Sequence, residues 1–68
     1  MIIKLVNQKD IQDMWELLKD LTPIKESSSL HIFEKVYKLD NIEFYVFWVI
    51  GISGDLPDSI LFDDQEEK

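Results

Sequence analysis

At 68 residues the chain has room for one domain, near the size below which a single hydrophobic core stabilises poorly without a disulfide, a metal or a partner. It has no cysteine, which excludes a disulfide framework and thiolate metal sites and fits a reducing cytoplasm. The formal charge is -7 and arginine is absent, so direct nucleic-acid binding is not expected.

"IIKLV" (2–6) is β-branched and bounded by Asn7, which predicts a strand followed by a helix that Asn7 caps. From about residue 8, Ile11, Met14, Trp15, Leu18 and Leu21 recur at helical spacing, with Gln12, Asp13, Glu16, Lys19 and Asp20 opposite. Pro23 ends this helix at Leu21 or Thr22, because it disfavours the α conformation just before it and lacks an N–H. "PIKESSS" (23–29) reads as a linker whose serines can cap a second helix. That helix is expected over 29–39. As a strand the segment would mix Lys35 with Phe33, Tyr37 and Leu39, whereas a helix gathers His31, Glu34, Lys35 and Lys38 on one arc.

Asp40-Asn41 makes a turn into "IEFYVFWVI" (42–50), a strand apolar on both faces. Ile42, Phe44, Val46, Trp48 and Ile50 lie on one face, and Tyr45, Phe47 and Val49 on the other. Such a strand belongs inside a sheet, and two helices cover only one of its faces. Aromatic surface is then left over, which predicts a homo-oligomer or a protein partner. A loop (51–58) leads to a short strand (59–62), so the domain is expected to span 1–62 and 63–68 to form an acidic tail. The first 38 residues hold six lysines against six acids, and the remainder holds eight acids against Lys68 alone. "FYVFWVI" is too short for a membrane span, and "MIIKLVNQKD" lacks the features of a secretory leader.

The expected fold is therefore α+β, in the order strand-helix-helix-strand-strand. With "IKLVNQKDIQDMWELLKDLT", "LLKDLTPIKE" and "NIEFYV", this order resembles the opening of the GNAT (acyl-CoA N-acyltransferase) family, most closely its amino-sugar phosphate branch. The resemblance implies that Thr22, at the Leu-Thr corner, lies near a sugar-phosphate substrate. It also exposes a departure. The family holds the pyrophosphate of acetyl-CoA on a Gln/Arg-x-x-Gly-x-Gly/Ala loop at a helix N-terminus. Here the only glycines are Gly51 and Gly54, with Trp48 and Ser53 at the positions that would need Gln or Arg and a small residue. Acetyl-CoA would bind only if the missing part of the fold were supplied, and a truncated or split acetyltransferase of this kind would be inactive alone.

Other candidates have simpler readings beside the functional ones. Thr22 can close its own corner through the backbone. His31, the sole histidine, has no partner fixed by sequence, and Ser27 to Ser29 fit helix capping better than nucleophilic catalysis. Asp63, Asp64, Glu66 and Glu67 lack the spacing of an EF-hand loop, and Trp15 and Trp48 fit a core or an interface. The alternative function is a small acidic binding or inhibitor protein acting through protein contacts, including the type that imitates DNA with carboxylates spread over a rigid face.

Overall fold

A computed structural model of the chain describes residues 2–51 and 55–64. Ile2–Leu5 forms β1, Gln8–Leu18 α1, Lys25–Ser28 β2, Ile32–Leu39 β3, Ile42–Val49 β4 and Ser59–Asp64 β5. The strands build one antiparallel sheet in the order β1-β5-β4-β3-β2. Strands β2 to β5 thus form a meander, and β1 pairs beside the last of them. The fold is α+β, as the composition of the segments implied.

The start of α1 follows the sequence. Asn7 stays extended, and its side-chain oxygen accepts the N–H groups of Lys9 at 2.9 Å and Asp10 at 3.3 Å. Both donors would otherwise lack an intrahelical partner. The helix stops at Leu18, one turn before the expected end, where the Leu21 N–H tightens onto the Leu18 carbonyl at 2.9 Å. Leu21 then packs against the core as part of the turn.

That core lies between α1 and one face of the sheet. Ile11 and Leu18 from the helix meet Tyr37, Phe44, Val46 and Ile60 from β3, β4 and β5. Around them Trp15 makes edge contacts with Trp48 (centroids 5.3 Å apart) and Tyr37 (6.0 Å), an arrangement the ring quadrupoles favour. No buried side-chain N or O lacks a hydrogen-bond partner among the described residues.

The second helix is overturned. Ile32–Leu39 instead forms β3, and Lys25–Ser28, expected as part of a linker, pairs with it as β2, so the order is strand-helix-strand-strand-strand-strand. Asp40 and Asn41 are a two-residue connection between β3 and β4, with Asp40 at φ 57°, a left-handed conformation that Asp tolerates. Such a tight reversal pairs the chain before it with β4 along all eight positions from Ile32↔Val49 to Leu39↔Ile42, and an isolated helix could not offer as many backbone bonds to the sheet. The lysine that argued against a strand is accommodated. Its ammonium lies 5.6 Å from the Phe33 ring centroid and 5.7 Å from that of Trp48, so the aliphatic stem rests on apolar surface and the charge over two π faces. Ser29 closes the β2–β3 connection rather than capping a helix: its N–H donates to the Ile32 carbonyl at 2.8 Å, and its hydroxyl accepts the Ile32 N–H at 3.2 Å.

β4 is the central strand, as its two apolar faces implied. β5 runs to Asp64, so Asp63 and Asp64 lie in the sheet; residues 65–68 of the expected tail lie outside the described residues.

Candidate functional site

Alternation along the strands puts Phe44, Val46 and Ile60 under α1 and sends the intervening residues to the other face, which no described helix or strand covers. Register then decides which residues meet there. One row is Ile2, Asp63, Glu43 and Lys38, and the next is Lys4, Leu61, Tyr45, Val36 and Lys25. A third carries Ser59, Phe47, Glu34 and Ser27, and Val49 with Ile32 lies beyond it. Leu61, Tyr45, Phe47, Val36, Val49 and Ile32 are therefore contiguous. Val36 is buried by its neighbours, Tyr45, Phe47, Val49 and Leu61 are half-buried, and Ile32 is exposed.

Charged groups surround this apolar centre, Lys4, Lys25 and Lys38 with Glu34, Glu43 and Asp63 on the strands and Asp58 beside them. The Tyr45 hydroxyl donates to Glu43 Oε1 at 2.7 Å. That hydrogen bond, then desolvation and the carboxylates of Glu43, Asp63 and Glu34, raise the Tyr45 pKa above its ordinary value. At one side of the face a dent of about 290 Å³ opens between Lys4, Phe47, Val49, Asp58 and Leu61. Asp58 shapes its rim by accepting the Val49 N–H at 2.6 Å.

Two further dents lie on the helix side. One of about 480 Å³ is lined by Phe33, Lys35, Trp48 and Asp55, and one of about 250 Å³ by Leu5, Met14, Leu17 and Phe62. Thr22 is exposed and lines none of the three. His31 is exposed in the β2–β3 connection, where its carbonyl accepts the Ile50 N–H. The Ser27 hydroxyl on the exposed strand β2 donates to the half-buried Glu34 of β3 at 3.2 Å, and neither residue lines these three dents. Trp15 and Trp48 pack against the core, the simpler reading of both. Among the described residues no group of three or more His, Cys, Asp or Glu is arranged to hold a metal ion, and no helix is long and apolar enough to cross a membrane.

The sequence located the Tyr45, Phe47 and Val49 side of β4 through its period-two pattern. It missed Leu61, Val36, Ile32 and the six charges beside them, because these reach the same face only through cross-strand register. The one local signal was Asp40-Asn41, two turn residues between two strand-type runs, which marks a hairpin. No family model matches the chain, and neither do curated proteins or solved structures.

Proposed function

We propose that the chain is a small interaction protein, without catalysis of its own, that works through the uncovered face of its sheet. The observation that carries this reading is the contiguous apolar centre Leu61–Tyr45–Phe47–Val49–Ile32 with a polar rim, an arrangement that marks association surfaces. The acetyltransferase reading retains β1, α1 and Thr22 as its support. It would need a helix where the β2–β3 hairpin stands, and an acceptor pocket beside a threonine that is exposed and lines none of the three dents described. A DNA-imitating inhibitor would need carboxylates alone on a rigid face, whereas here three lysines share it.

A photo-crosslinking residue at Phe47, compared in cells with one at the exposed Gln12 on α1, tests the proposal. Specific protein adducts from position 47 and only background from position 12 are expected. Background from both would sink it. Calorimetry with acetyl-CoA and thiol release with an amino-sugar phosphate test the competing reading: no saturable heat and no turnover are expected, and turnover lowered by Thr22→Ala would make the protein an enzyme.

A further inference from the structure

The occupant of the open face can be narrowed by charge. The chain carries -7 overall, yet on this face three lysines stand among four acids, Glu34, Glu43, Asp63 and Asp58. A strongly basic partner would be met by a net acidic surface and a nucleic acid by a basic one. A face of nearly balanced charge with both signs around an apolar centre suits a partner of the same pattern, and the chain itself has that pattern. We infer that a second copy of this chain covers the face, making a two-fold dimer with the two sheets packed against each other and the α1 helices outside; the inference rests on the reading of this face as an interaction surface.

The area agrees with such a dimer. Strands about 4.8 Å apart and about 3.4 Å per residue give a face of roughly 500 Å² per copy, or about 1,000 Å² for the pair, at the lower end of specific interfaces. Association is therefore weak and concentration-dependent. Packed sheets settle with strands nearly aligned or nearly at right angles. Exact alignment about an axis along the strands would set Lys4 against Lys25 of the other copy, since these residues stand at opposite margins of the same row. A crossed arrangement avoids this clash. It lays the Lys4 margin of one copy over the Asp63–Glu43 end of the other, and the two-fold axis makes that contact twice. The dent beside Lys4, Phe47 and Leu61 then has room for a side chain of the facing sheet.

Sedimentation equilibrium of the full chain, from micromolar to about millimolar concentration, tests the inference. The mass should rise from 8.1 kDa toward twice that value. Phe47→Glu should raise the dissociation constant more than about 30-fold, the loss expected for a central interface residue, with circular dichroism verifying that the variant is folded. Lys4→Glu should weaken the dimer, and Lys4→Glu combined with Glu43→Lys should restore it, because one chain then carries both halves of the reversed contact. A monomer at the highest concentration would overturn the inference, and so would a dimer indifferent to Phe47→Glu. If the chain is monomeric but position 47 crosslinks a different protein, the second copy is excluded and the face remains an interaction surface; if position 47 crosslinks nothing, both readings fall.

Discussion

Tyr45 shows how a single side chain reports the character of the open face. Its phenol donates to Glu43 while carboxylates on three strands stand around it, so the neutral form is favoured in the folded chain. A folded pKa raised above the unfolded value contributes stability that is fully present below pH about 10 and is lost as pH rises through the folded value. With Tyr37→Phe removing the other tyrosine, ultraviolet titration should place Tyr45 above the ordinary phenol range, and Glu43→Gln should bring it down. An unchanged titration in the Glu43→Gln variant would mean that the hydrogen bond is not formed in solution. At the other end of the chain, Asn7→Ala leaves the Lys9 and Asp10 N–H groups without their acceptor. A loss of about 1 kcal/mol in urea unfolding is expected, with the slope of the transition unchanged.

At the level of elements, α1 is held by its apolar face more than by its own length, because 11 residues form too short a helix to persist in water. Leu18 is fully buried and the adjacent Leu17 is 61% exposed. Leu18→Ala should cost about 3 kcal/mol, enough to unfold much of a domain this size, whereas Leu17→Ala should cost less than about 0.5 kcal/mol. Equal losses in denaturant titrations would mean that the helix docks on a different face. The two sheet edges also differ. β2 presents Lys25, Glu26, Ser27 and Ser28, charged and polar residues that discourage pairing with another strand, while β1 carries Ile2, Ile3 and Leu5 with Lys4 as its only charge. That contrast leaves β1 as the more apolar margin of the molecule.

For the molecule as a whole, fourteen acids against seven lysines make the compact state repel itself. Sodium chloride raised from about 0.01 to about 0.2 M shortens the Debye length from roughly 30 Å to below 10 Å and should raise the melting temperature at fixed, low protein concentration. A falling melting temperature would show that attractive ion pairs dominate instead. The sequence by itself determined the class of the fold, the capped first helix, the central strand and its two apolar faces, because those features depend on neighbours within a turn or two along the chain. Residues 29–39 were decided by tertiary structure: their local pattern fits a helix and a strand almost equally, and the choice falls to the backbone bonds offered by β4 across the Asp40-Asn41 reversal, after which the segment read as a linker can pair with β3 as β2. The open face was likewise out of reach, since Lys4, Leu61, Tyr45, Val36 and Lys25 come from five strands and become one row only when the register is set.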